Sequence, residues 1–231
     1  MKITYISHSS FMVEFDKLCM LFDYADGVLP DIPDEKELIV FASHKHSDHY
    51  SQKIFQIKEF HSATSYVLSY DIGMLLSNDI LNVMPDREYT TVAGGELLKI
   101  KTLRSTDCGV AYLIDYCGEV LYHAGDLHMW VWQGAPEYQN REMEASYRKE
   151  ISKLSACNID VAFAVLDPRQ EDDYFCGMKA LLETCRIKNL FPMHMWGDYT
   201  VVPRFKAEYA DKFRTDVKEV AFEGQAWEIL L

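Results

Sequence analysis

A layered α/β sandwich built on mixed β-sheets is the fold class this sequence predicts, and three observations carry it. Short strand-like runs crowd the first half, helical and strand-like segments alternate in the last third, and 48% hydrophobic residues over 231 positions is ample for a sizeable core. Strands first and α/β alternation later fit mixed sheets better than an all-parallel doubly wound fold.

Residues 2–7, 11–15 and 18–23 are apolar or alternating runs separated by small polar turns, the pattern of a β-meander. Residues 38–43 form a further strand, apolar enough to be buried on both faces. A short helical pattern follows over 51–60, with a Ser start and Ile54, Ile57 and Lys58 at helix spacing, then strands over 65–68 and 80–84. Residues 89–93 and 96–103 flank Gly94-Gly95, and 110–116 and 119–123 flank Cys117-Gly118, so both pairs read as hairpins. The clearest helix covers 137–156, where Met143, Tyr147, Ile151 and Leu154 recur at spacings of three and four. Strand 160–166, helix 175–185, strand 189–192, helix 203–213 and strand 226–231 complete the order.

With 36 acidic against 23 basic side chains the net charge is −13, which repels phosphate backbones; no Lys/Arg cluster offsets it, so nucleic acid is not an expected partner. No apolar run approaches the roughly 18–20 residues of a membrane span, and His8, Ser9 and Ser10 interrupt the N-terminus where a signal peptide needs an apolar core. A cytoplasmic protein without membrane partners is expected. The six cysteines then read as reduced thiols, mostly small core residues, with no C-x-x-C pair among them. No linker or repeat divides the chain, so residues 1–231 are expected to form one domain.

The segment His44-Lys45-His46-Ser47-Asp48-His49 carries the chemistry. It directly follows a buried strand, and loops at strand ends are where rigid scaffolds display reactive groups. In an extended loop His44 and His46 project to the same side, so two imidazoles can grip one ion. Asp48 and His49 offer a carboxylate and a third imidazole to the same neighbourhood, enough for a second ion. The plain alternative is a His-rich surface loop, which the preceding apolar strand disfavours.

His44-x-His46-x-Asp48-His49 resembles the signature of the metallo-β-lactamase superfamily of metal-dependent hydrolases. His123-Ala124-Gly125-Asp126 is similar to the family's Gly-Asp motif, and Pro192-Met193-His194 resembles its last metal histidine. The stretch Ile6-Ser7-His8-Ser9-Ser10-Phe11 is similar to the start of the branch containing ascorbate-6-phosphate lactonase-like proteins. The resemblance implies a four-layer αββα sandwich of two mixed β-sheets flanked by helices. It also implies one or two divalent ions, zinc or alternatively manganese or iron. His44 and His46 would hold the first, Asp48, His49 and His194 the second, and Asp126 would lie between them.

One departure stands out. The family supplies another histidine between its first motif and the Gly-Asp, whereas residues 103–109 read Leu-Arg-Ser-Thr-Asp-Cys-Gly. Asp107 is the leading substitute ligand and Cys108 a weaker one; the alternative is a simple turn and an incomplete first site. His61 is expected on the surface, His123 inside the core, and His128 at the pocket mouth beside Trp130 and Trp132, which read equally as packing or as an apolar substrate wall. His8 is either a group near the metals or a turn residue, and Asp167 either orients a ligand histidine or lies in a solvated turn.

The expected function is that of a metal-dependent hydrolase in which a metal-activated hydroxide attacks a small-molecule ester, lactone, amide or phosphoester, anionic ones included. Asp48 is its candidate catalytic carboxylate, orienting or deprotonating the nucleophile. The alternatives are an RNase Z-like nuclease and a non-catalytic metal-binding protein with a disabled first site. A homo-oligomer is compatible with the sequence.

Overall fold

The opening meander forms because apolar runs are cut by short polar turns, leaving β1 (Lys2–Ser7), β2 (Ser10–Glu14) and β3 (Leu18–Phe22) antiparallel neighbours. The computed structural model describes residues 1–209 and 212–230. Beyond β3, the strands β4 (Glu37–Ala42), β5 (Thr64–Ser69) and β6 (Ile80–Val83) add in parallel, and β14 (Ala226–Glu228) pairs antiparallel with β1 at the other edge.

The second sheet repeats this plan. The strands β7 (Glu88–Ala93), β8 (Glu96–Arg104), β9 (Val110–Tyr116) and β10 (Glu119–His123) pair antiparallel, and β11 (Asn158–Val165), β12 (Arg186–Met193) and β13 (Asp216–Val217) continue in parallel. Each seven-stranded sheet thus runs three antiparallel pairings and then three parallel ones. Mixed sheets are what the order of apolar runs predicted.

The sheets meet across an aromatic core. Phe11 and Phe163 bring β2 and β11 to 4.4 Å between ring centroids, and Phe22 stacks on Phe41 at 4.9 Å. Such rings each bury well over 100 Å² and dominate the apolar driving force. On the outer side of the second sheet, α1 (Glu137–Ser152) packs on α2 (Cys176–Thr184), which touches β11, and α3 (Val201–Tyr209) adds buried Phe205. The outer layer of the first sheet is a 3₁₀ helix over Gln52–Glu59 rather than an α-helix. Ile54 and Ile57, three apart, lie on one side of a 3₁₀ turn, so both reach the sheet.

The helix α1 ends at Ser152, short of the predicted 156. The hydroxyls of Ser152 and Ser155 bond the carbonyls of Lys149 and Ser152 (2.7 and 2.8 Å), drawing the chain into a turn that seats Leu154 in the core. Positions 210 and 211 of the predicted last helix and 231 of the last strand lie outside the described residues. All six cysteines are free, but only Cys19 and Cys185 are buried; Cys108, Cys157 and Cys176 are half-buried and Cys117 is exposed in a turn, so the expectation of mainly core cysteines fails. Among the described residues, no helix is long and apolar enough to cross a membrane.

The two sheets are also tied by backbone where strands end. Val110 donates to the carbonyl of Ser43 (2.9 Å) and His194 to that of His8 (3.1 Å). The first contact requires glycine next door: Gly109 has φ +68°, and a β-carbon there would meet the Ser43 oxygen at 2.0 Å. Gly109→Ala is therefore expected to cost at least about 3 kcal/mol and lower Tm by roughly 6–12 °C. Gly95→Ala, in a hairpin turn with open space around it, is expected to cost about 1 kcal/mol. Thermal unfolding of the two variants checks the contrast.

Candidate metal centre

The groups of interest all sit at carboxyl ends of strands, at one edge of the sandwich. His8 follows β1, Asp23 follows β3 and the His44–His49 segment follows β4; Asp107, Asp126, Asp167 and His194 follow β8, β10, β11 and β12. Parallel strands place such ends side by side, which is why a site can be assembled from residues nearly two hundred positions apart.

Three ligand-like groups result among the described residues: His44, His46, Asp107 and Asp126 form one cluster, His8, Asp48, His49 and His194 a second, and fully buried Asp23 joins His44 and His49 behind them. Asp126 lies between the two clusters. Its Oδ2 is 3.4 Å from His44 Nε2, while its Oδ1 is 3.1 Å from His49 Nε2 and 3.4 Å from His194 Nε2. In the first cluster His46 Nδ1 and Asp107 Oδ2 are 3.4 Å apart and both partly exposed, and in the second His8 Nε2 is 3.3 Å from Asp48 Oδ2.

The orientation of each buried ring is fixed from behind. Asp23, fully buried, accepts from Ser43 N and Oγ (2.7 and 2.6 Å) and from His49 Nδ1 (2.7 Å). Because the Ser43 hydroxyl proton goes to Asp23, its oxygen is left to accept from His44 Nδ1 at 2.9 Å. Buried Asp167 accepts from His194 Nδ1 at 2.9 Å and is gripped by the Arg169 fork. All three imidazoles thus keep their Nδ1 proton and turn Nε2 inward, which is the arrangement of metal-ligating histidines backed by carboxylates.

Those inward atoms have no hydrogen-bond partner: Nε2 of His8, His44, His49 and His194, together with Asp126 Oδ1, are buried and unsatisfied. Orphaned polar atoms at this density are costly, and five of them shared between two adjoining clusters fit divalent ions. Burial opposes the charge on Asp126, yet His49, His194 and His44 hold its carboxyl well below the usual range. Burial likewise disfavours a charged His49, but the Asp126 and Asp23 carboxylates outweigh it and push its pKa up.

Every residue of the expected set is drawn into these clusters, Asp107 included. The other expectations divide. His8, which the sequence reads as either a group near the metals or a turn residue, joins the second cluster, and Asp167 backs a histidine instead of lying in a solvated turn. His61 is buried rather than on the surface, bonded to the Lys36 carbonyl at 2.9 Å and in neither cluster. His128 is buried rather than at the mouth; burial holds its pKa near 4, and its Nε2 meets Gln170 Oε1 at 2.7 Å. His123 is a core residue, stacked on Phe22 and hydrogen-bonded at both nitrogens. Cys108 is in neither cluster. Asp23 went unnoticed in the sequence, where its one signal is a carboxylate directly after an apolar strand.

Strain marks the same place. His8, Asp23, His194 and Trp196 all have φ between +44° and +68°, conformations uncommon for such residues and concentrated at functional sites. In front of the clusters lies an open cleft of about 550 Å³, lined among others by Trp130, Trp132 and Trp196.

This chain belongs to the β-lactamase superfamily: the family model for the β-lactamase superfamily domain matches residues 2–135. No curated protein matches it in sequence. Among solved structures it is similar to a metallo hydrolase from the hyperthermophilic archaeon Ignicoccus hospitalis, with TM-score 0.68, 18% identity and 99% of each chain covered. An isothiocyanate hydrolase from Delia radicum gut bacteria matches with TM-score 0.57, 15% identity and 99% of each chain. A diiron β-hydroxylase from Streptomyces venezuelae matches with TM-score 0.64 and 9% identity, over 99% of this chain and 54% of that one. These likenesses establish the metallo-β-lactamase sandwich as the fold.

Removing Asp107, as Asp107→Ala, is expected to empty the first position, halving metal content in elemental analysis of the dialysed protein; undiminished content would remove Asp107 from the ligand set. Asp167→Asn, which weakens the hold on His194, is expected to lower metal affinity by about 10- to 100-fold in a competitive chelator titration.

Proposed function

We propose that this protein is a metal-dependent hydrolase of small molecules, acting on an ester, lactone, amide or phosphoester at a two-ion centre held by His44, His46, Asp107, Asp126, Asp48, His49 and His194. The observation that carries the reading is the convergence of orphaned imidazole nitrogens on Asp126. His8, Nε2 beside Asp48, joins the second group. The names of the Ignicoccus and Delia radicum proteins point the same way. Zinc suits an imidazole-rich set; the two carboxylates of the first cluster and the diiron relative keep iron and manganese in contention. The His8 strand turn, packed against the second cluster, supports kinship with the ascorbate-6-phosphate lactonase-like branch.

Divalent ions in such a centre supply Lewis acidity, polarising a carbonyl or phosphoryl oxygen and making hydroxide accessible near neutral pH. The chain's own residues do the rest. Asp23 and Asp167 lock the rings of His44, His49 and His194, so little reorganisation is needed when charge develops. Burial works against the charge of Asp48, but His8 and His49 hold its carboxyl well below the usual range. Asp48 therefore stays ionised and accepts a hydrogen bond, orienting a nucleophile rather than storing its proton. The tryptophan-walled cleft admits the substrate and limits bulk water on one side. In the overall reaction water adds across the scissile bond, its oxygen to the acyl or phosphoryl atom and a proton to the leaving group.

The purified protein is expected to contain about one to two metal ions, and chelation to abolish turnover across a panel of lactones, esters, phosphoesters and isothiocyanates. Full activity in a metal-free preparation would sink the reading. Because the Asp126 and Asp23 carboxylates push the His49 pKa up, protons compete with the metal for its Nε2. Apparent metal affinity is thus expected to rise with pH between 6 and 8, by about tenfold per unit for each proton released. Calorimetry in buffers of differing ionisation enthalpy reads the proton count.

A further inference from the structure

Three tryptophans define the cleft, and each is held in place by a contact unrelated to packing in the core. The Trp130 indole donates to the Asp126 carbonyl at 3.0 Å, which ties the ring to the residue at the centre of the clusters. The Trp132 ring lies parallel to it, 9° between planes and 6.1 Å between centroids. Its backbone is clamped by Asn140, which accepts from Trp132 N at 3.1 Å and donates to Trp132 O at 2.9 Å. Trp196, which also lines the cleft, carries the Arg169 guanidinium over its ring at 4.3 Å and stands edge-on to His8 and His194. Trp132 and Trp196 remain 37% and 50% exposed, although burying an indole is favourable by several kcal/mol.

Three polar side chains of the cleft wall are already engaged within the protein. Both amide atoms of Asn140 serve Trp132. The Thr106 hydroxyl donates to the His128 carbonyl at 2.6 Å and accepts from His128 N at 3.0 Å, and Arg169 forks onto Asp167. A flat apolar ring entering here needs no new hydrogen bonds from these three groups and covers exposed indole.

We propose that the cleft selects substrates bearing a planar aromatic group next to the scissile bond, the ring seated between Trp132 and Trp196 while the reacting group faces Asp126. The substrate class is then aryl-substituted esters, lactones or phosphoesters. This rests on the metal-centre reading above, and the test separates the two.

Phenylphosphonate and methylphosphonate carry the same anionic head and differ in the ring alone. Their binding to the zinc-reconstituted protein, followed by calorimetry and tryptophan fluorescence, needs no turnover. Phenylphosphonate is expected to bind at least about tenfold tighter. That ratio is expected to fall below about threefold in Trp132→Ala and to be largely retained in Trp132→Phe, with circular dichroism confirming the fold of each variant. Equal affinity of the two phosphonates in the unaltered protein, or a preference that survives both Trp132→Ala and Trp196→Ala, overturns the aromatic cleft while leaving the metal centre standing. Failure of both phosphonates to bind protein that has taken up zinc overturns the aromatic cleft, whereas failure to take up zinc at all overturns the metal-centre reading.

Discussion

A carboxylate buried where two sheets converge has to be compensated, and much of this molecule is arranged around that constraint. Asp126 is 6% exposed and carries its charge among three imidazoles contributed by both sheets. Taking such a group out of water costs several kcal/mol unless opposite charge or hydrogen bonds replace the solvent. Those imidazoles in turn depend on Asp23 and Asp167, also buried and also charged. The result is an alternation of carboxylate, imidazole and carboxylate running from β3 to β12, in which removal of one member strands its neighbours.

That network explains the backbone around it. Gly109 brings β9 against Ser43, Ser43 relays Asp23 to His44, and the positive φ of Asp23, His8 and His194 turns the chain sharply at the strand ends so that side chains face one another across the seam. Strain of this kind persists where surrounding structure over-determines it, and here the two seven-stranded sheets provide that frame.

The alternation of apolar runs and turns made the sheets legible in the sequence, because burial on one or both faces of a strand writes itself directly into residue order. The His44–His49 segment was legible for a related reason: its residues are adjacent in the chain as well as in space. Asp23, and the decision between two roles for Asp167 and His8, were not, since each acts through a partner far along the chain and nothing local records which strand ends will meet. His61 shows the converse, a histidine whose sequence context looked superficial but whose ring seeks the Lys36 carbonyl inside the protein. The 3₁₀ layer over the first sheet escaped for want of length, eight residues being too few for periodicity to separate it from an α-helix.

The matching plan of the two sheets bears on how the molecule assembles. Each half of the chain lays down antiparallel neighbours by short turns before adding parallel strands through long crossovers, so the nearby contacts can form early and the distant ones must wait. The bond from His194 to His8 spans almost the whole chain and belongs to the last category. The clusters on Asp126 therefore come into existence when both halves have docked, and an ion captured there stabilises the finished sandwich in preference to any partly folded form. Occupancy of the centre would then act as a latch on folding as well as a source of chemistry.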